Sequence, residues 1–384
     1  LHVVFGVTLM AVLGVSSIAP ALPQVARAFD LSAQQVGLLI TVFTLPGVIL
    51  TPLTGLLADR YGRRRILAPS LLLFALGGGA CALATSASQL MVLRLVQGIG
   101  GAALGSLNAT VLGDLYQGRQ RAAAMGYNSS VLSIGTASYP ALGGGLAEFG
   151  WRWPFLLPLL ALPVAAAVWF CLRYPQPVRR QPLREYFDAV GRSLRRRSVA
   201  GLFAVSTLTF ILLYGGMLTY LPVLMDERFG LSPGRIGIFL TTSSLTTALV
   251  STQLGRLSER CGEGRLIRIA FGLYALALAL VPFLPSAWFV LLPAACFGAG
   301  MGLNMPSLLT LLAGLAPPHH RGAFMALNGT VLRLGQTLGP LLGGVAYGLG
   351  GVEAVFLSGG AIAVLALALV GVTVPARNEG PDGA

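Results

Sequence analysis

Apolar residues run along this chain in stretches of about twenty, separated by short polar intervals. About 20 apolar residues is the length that crosses a bilayer as a helix. Twelve such runs are expected, at 1–22, 34–57, 66–86, 89–113, 122–147, 154–172, 199–224, 233–254, 267–285, 288–313, 322–348 and 354–375. Their even spacing leaves only short connections, with no room for a soluble domain of any size. The densest polar interval is Gly55–Arg65, where Asp59, Arg60, Arg63, Arg64 and Arg65 stand between two apolar runs. Such a cluster does not sit in hydrocarbon, so a short water-exposed turn between the second and third spans is predicted.

The same pattern returns further on. Gly55, Asp59, Arg60, Gly62 and Arg65 recur 200 residues later as Gly255, Glu259, Arg260, Gly262 and Arg265. At the same offset Arg121, Met125, Asn128, Gly135, Pro140, Gly143 and Gly144 return as Arg321, Met325, Asn328, Gly335, Pro340, Gly343 and Gly344. The chain reads as a tandem duplication: an all-α membrane protein with six spans in 1–172, six in 199–375, a basic linker at 173–198 and a tail at 376–384.

Composition sharpens this. The chain is 55% hydrophobic and only 10% charged, with a mean hydropathy of +0.78, far from a soluble domain. The net charge of +13 would suit nucleic acid, but the 26 basic residues, all arginine, are placed as a topology signal instead. With the N-terminus inside, 20 arginines fall in cytoplasmic segments and four in outer loops, so both termini are expected in the cytoplasm. The linker is expected to lie on the inner leaflet, each basic residue attracted by about 1 kcal/mol. Cys81, Cys171, Cys261 and Cys296 have no metal or disulfide spacing. The first 22 residues lack a basic leader and pair with the seventh span in the repeat, so they are read as a span rather than a signal peptide.

Two Gly-Pro stretches suggest close helix approach with a bend. In the eleventh span they are Gly335, Gly339, Pro340, Gly343 and Gly344; in the fifth, Gly135, Pro140, Gly143 and Gly144, with Tyr139 in place of the glycine before the proline. Small residues let helices touch, and the proline can serve as hinge or seal. Gly98-x-Gly100 follows no strand and lies inside a span, so it is not read as a nucleotide loop.

These residues resemble the major facilitator superfamily of secondary transporters over essentially the whole chain. Gly55–Arg65 resembles that family's signature between spans two and three, Gly255–Arg265 its degenerate second copy, Arg94–Ala102 the span-four signature of proton-linked members, and Gly135–Gly144 the span-five signature of exporters. The resemblance implies two six-helix bundles related by a pseudo-twofold axis along the membrane normal, a substrate cavity between them, and alternating access. It also implies a conformational latch of Gly55, Asp59, Arg60, Gly62, Arg63 and Arg64 with Glu259 and Arg260.

None of the 13 acidic residues lies near the middle of a span. Ser16 stands where many proton-linked drug exporters carry an acid, which leaves the proton carrier open and disfavours organic cations. Two arginines do lie inside. Arg94 is about 8 Å from the outer end of span four and Arg333 about 17 Å from the inner end of span eleven, at 1.5 Å per residue. Arg333 has Ser133 as its counterpart, and a feature of one half only points to substrate rather than fold. With Arg94 and Arg333, the expected polar lining is Asn108, Tyr127, Asn128, Tyr214, Asn304 and Gln336, although Arg94 is also read as a structural tie from span four to the end of span one. The reading is a secondary transporter of the inner membrane, an exporter of amphipathic drugs or metabolites, neutral or anionic. Uptake of an organic anion or sugar, and a receptor on a transporter scaffold, are the alternatives. No enzyme, metal, cofactor or nucleic-acid partner is expected; the partners are a small-molecule substrate, the lipid bilayer and, as an open question, protons, with the chain acting as a monomer.

Overall fold

The computed structural model describes residues 1–172, 197–315 and 321–374. The linker expected at 173–198 falls almost entirely outside the described residues, and so does the tail at 376–384. Helices follow one another in the order α1 (His2–Ala28), α2 (Ala33–Tyr61), α3 (Arg63–Cys81), α4 (Ala87–Leu115), α5 (Gly118–Ala147), α6 (Trp153–Cys171), α7 (Arg197–Phe229), α8 (Pro233–Thr252, followed by a short helix Leu254–Cys261), α9 (Glu263–Phe283) and α10 (Ala287–Leu315). A last helical stretch, Arg321–Thr373, is broken at Gly350 and at Gly351, whose φ is +69°, and this divides it into α11 and α12. Among the described residues nine stretches are long and apolar enough to cross a membrane. The ninth contains both α11 and α12, and α5 and α8 are long but more polar, so the described helices are consistent with twelve passes.

Several boundaries differ from the sequence reading for local reasons. The first span does not end at its prolines. The first stretch of α1 stops at Ser16 because Pro20 has no N–H to give the Ser16 carbonyl. A short 3-10 turn, Ala19–Ala21, follows, and the helix resumes as Leu22–Ala28. Pro23 sits in the first turn of that segment, where no intrahelical donor is needed. The seventh span also runs on, to Phe229, through a π-helical stretch at Leu212–Tyr220.

The chain divides into two compact units, Leu1–Gln181 with Gly230–Thr241, and Pro182–Phe229 with Thr242–Ala384. The duplication is visible inside them as matched contacts. In the first unit an added Cβ on Gly98 would meet the Phe43 carbonyl at 2.1 Å; in the second, one on Gly298 would meet the Ser243 carbonyl at 2.1 Å. Thr51 Oγ1 donates to the Ala102 carbonyl at 3.2 Å, and Ser251 Oγ to the Gly302 carbonyl at 3.3 Å. Each pair keeps the 200-residue offset. The α4–α2 crossing and its repeat, α10–α8, are thus backbone-on-backbone contacts that only glycine permits, and dispersion between closely approaching helices supplies the association energy that lipid does not.

The Gly-Pro stretches make the same kind of contact. A Cβ on Gly143 would fall 1.8 Å from the Ser17 carbonyl of α1. Along α11, Gly335, Gly339 and Gly343 face Thr207, Ile211 and Tyr220 of α7, with a Cβ on Gly339 2.7 Å from the Ile211 carbonyl and 2.8 Å from the Gly215 nitrogen. Pro140 and Pro340 are buried, whereas Gly344 is half-buried. Gly143→Ala is expected to force α5 off α1 and cost about 1–3 kcal/mol, read as a lower thermal midpoint in detergent. Gly145→Ala, where an added Cβ meets nothing within 4 Å, is the matched control and should leave the midpoint unchanged.

Candidate functional site

The turn after α2 is built on backbone geometry. Gly62 has φ +94° and Gly262, its repeat, +76°, a region that side chains with a Cβ rarely adopt, so both turns demand glycine. Beside the first turn, Arg63 is nearly buried and its Nη2 lies 2.7 Å from Asp114 Oδ2 at the end of α4. Arg121, at the start of α5, also acts electrostatically on Asp114. Asp114 therefore draws the starts of α3 and α5 to the end of α4. Arg64 instead covers the ring of Trp169, 5.2 Å from its centroid, and Arg60 stands 5.6 Å from that of Tyr61. An added Cβ on Gly55 meets nothing within 4 Å, and Glu259 and Arg260 are exposed. The side chain of Asp59 lies outside the described residues. Sequence reasoning passed over Asp114; its one signal was a lone acid at the inner end of a span whose counterpart is Gly314.

Inside the first unit the polar side chains are turned on one another. Arg94 has no exposed surface. Its Nε donates to the Leu39 carbonyl at 3.1 Å, and its Nη1 to the Gly14 carbonyl at 3.0 Å and to Gln97 Oε1 at 2.7 Å. Its guanidinium lies 4.4 Å from the Phe43 ring centroid. The Gly14 carbonyl is one of the orphan acceptors at the end of the first stretch of α1, since the Ile18 N–H turns to Val15. Arg94 thus caps a helix C-terminus, where a cation is favoured. Asn108 Nδ2 donates to Thr8 Oγ1 at 2.5 Å, and Thr8 Oγ1 to Asn128 Oδ1 at 2.5 Å, which ties α1, α4 and α5.

The other face of α5 is different. Tyr127 is 61% exposed, and Ser129 and Ser130 beside it are exposed as well, each hydroxyl bonding back to its own helix. The structure therefore separates residues grouped by the sequence reading. Arg94, Asn108 and Asn128 hold the helices of the unit together, while Tyr127 looks outward with two serines that the sequence reading left out.

The second unit carries the other internal arginine. Arg333 is half-buried, its Nη1 donates to Gln336 Oε1 at 3.1 Å, and Tyr214 of α7 lies near it. Tyr214 stacks on Phe210 with centroids 5.9 Å apart. It stands in the π-helical stretch, where its carbonyl accepts from Thr219 Oγ1 at 2.5 Å, and π-helical geometry is frequent at functional sites. Arg333, Gln336, Tyr214 and Phe210 form one cationic and aromatic group. Asn304 does not join it: it is fully buried, and its Nδ2 donates to Thr209 Oγ1 at 2.7 Å. Asn328 likewise accepts from Ser206 Oγ at 3.2 Å. These ties of α7 to α10 and α11 parallel those of α1 to α4 and α5. No group of His, Cys, Asp and Glu able to hold a metal is present among the described residues.

A duplicated membrane chain, helical through its described residues, with polar ties inside each half and an arginine inside a span of each, has the architecture of a transport protein. The Major Facilitator Superfamily model matches residues 4–232 and 220–384, and the chain belongs to that family, whose members are transporters and not enzymes. It is 28% identical over 378 residues to Multidrug resistance protein 2 of Bacillus subtilis, covering 96% of this chain and 94% of that protein. It is 28% identical over 353 residues to the class B tetracycline resistance protein of Escherichia coli, covering 89% and 86%. Among solved structures the nucleoside transporter NupG superposes with a TM-score of 0.80 at 14% identity, covering 97% of this chain and 99% of that one.

Proposed function

We propose that this chain is an exporter of amphipathic small molecules that works by alternating access in the plasma membrane, with both termini in the cytoplasm, and that it favours neutral and anionic compounds. The observation that carries the charge preference is Arg333, a cation inside a membrane helix beside Tyr214 and Gln336, in a chain with no carboxylate near the middle of any span. A cation in that setting attracts an anion strongly and repels a cation equally, because low dielectric amplifies both. The names of the multidrug and tetracycline resistance relatives support export. The chain acts as a monomer, and the coupling ion, with the proton as the candidate, is decided by the gradient dependence tested below. Gly55–Arg65, with Glu259 and Arg260, serves as the conformational latch, and the Gly-Pro stretches of α5 and α11 as packing hinges.

The test is efflux from proteoliposomes of matched anionic, neutral and cationic fluorescent amphiphiles, with and without an imposed pH gradient. Gradient-dependent efflux of the anionic and neutral probes is expected. Faster efflux of the cationic probe overturns the charge preference, and equal rates with and without the gradient overturn proton coupling.

A further inference from the structure

Helix α8 begins in one compact unit and ends in the other, because Gly230–Thr241 belongs with the first and Thr242 onward with the second. Its first turns lie across the end of α5 with almost no space between the backbones. An added Cβ on Gly144 would come within 2.4 Å of the Pro233 carbonyl, and one on Gly237 within 2.2 Å of the Pro140 carbonyl. One residue beyond α5, Glu148 reaches over this crossing, and its Oε1 accepts from the Gly234 N–H at 2.8 Å. Pro233 has no N–H, so Gly234 carries the first free donor of α8, at the positive end of the helix dipole. An added Cβ on Gly234 would stand 2.6 Å from that same carboxylate oxygen and displace it.

The repeat shows that this cap is not part of the common plan. In the first half the equivalent helix, α2, caps itself: Gln35 Oε1 accepts from the Ser32 N–H at 3.0 Å. In the second half Arg235 stands in place of Gln35, and the cap comes from a residue 86 positions away. The counterpart of Glu148 is Gly348, so the second half has no equivalent carboxylate to offer the start of α2. A helix start that could be capped locally is instead held by a neighbouring helix, at the membrane face opposite the Gly55–Arg65 turn.

We propose that Glu148 is a positioning residue for transport: its carboxylate holds the start of α8 closed on α5, and releasing that contact is a step of the cycle. This rests on the chain being an alternating-access transporter. Its test does not need a substrate. Spin labels are placed at Phe149→Cys and Ile238→Cys, both exposed sites, in a chain whose Cys81, Cys171, Cys261 and Cys296 are replaced by alanine, and the distance distribution is measured in proteoliposomes. The longer-distance population should rise about two- to fivefold in Glu148→Ala, the change expected from losing a charged cap. Gly234→Ala should do the same by pushing the carboxylate away. Glu148→Gln, which keeps the acceptor and loses the charge, should fall between, and this grading separates capping from bulk packing. Native distributions in both Glu148→Ala and Gly234→Ala overturn the proposal, whatever the chain carries. A shifted distribution with no flux of any probe leaves the cap standing and overturns the transport reading instead.

Discussion

Replacing Arg94 with alanine is expected to lower the thermal midpoint in detergent by about 10 °C, a loss of about 3–5 kcal/mol. Arginine inside a membrane helix is ordinarily a cost, which taken alone predicts that its removal stabilises. Two observations decide the sign. The guanidinium satisfies the Gly14 carbonyl, an acceptor at the break in α1 with no other use, and it fills the space against Phe43. Alanine leaves that carbonyl orphaned and opens a cavity where α1, α2 and α4 meet. Arg94→Met separates the two contributions by restoring volume without donors, and should recover part of the loss. Arg94→Lys keeps the charge but cannot reach Gly14, Leu39 and Gln97 together with a single nitrogen in this geometry; it too should recover only in part. Midpoints equal to native in Arg94→Ala would show that the arginine is not holding the first unit together.

The repeat explains which features were legible in the sequence. Gly62 and Gly262 occupy equivalent turns, and a glycine required by a positive φ recurs at a fixed offset because nothing else fits. Arg94 and Arg333 were visible for another reason: charge inside a span is expensive enough to be rare. The hydroxyl–asparagine ties were not legible as such. Thr209 lies one residue off the register of Thr8, and Asn304 about one helical turn off that of Asn108. Asn128 and Asn328 keep the offset, but any hydroxyl near an amide serves, so their partners and the second asparagine sit at different positions in the two halves and the periodicity does not show the pairing. The sequence reading of Asn108, Asn128 and Asn304 as cavity lining therefore did not include the helix ties they make. Asp114 and Glu148 were hidden differently, since each acts on a residue far away in the chain, and neither has a counterpart in the other half to flag it.

Arg333→Ala is expected to abolish efflux of anionic probes, a fall of at least tenfold, while leaving neutral probes within about threefold of native. Removing a desolvated cation that contacts an anion costs about 2–5 kcal/mol, and 1.4 kcal/mol is already a factor of ten. Neutral probes lose only a polar contact, hence the smaller change. The thermal midpoint should move less than in Arg94→Ala, because Arg333 is half-buried whereas Arg94 has no exposed surface. Arg333→Lys should restore part of the anion efflux, since the charge remains beside Tyr214. Tyr214→Phe, which keeps the ring stacked on Phe210 and removes only the hydroxyl, should change anion efflux less than Arg333→Ala does. If Arg333→Ala lowers the midpoint as far as Arg94→Ala and reduces all probes alike, then Arg333 is a second structural tie. The charge selectivity would then have to reside elsewhere, with the exposed face of α5 around Tyr127 as the next place to look.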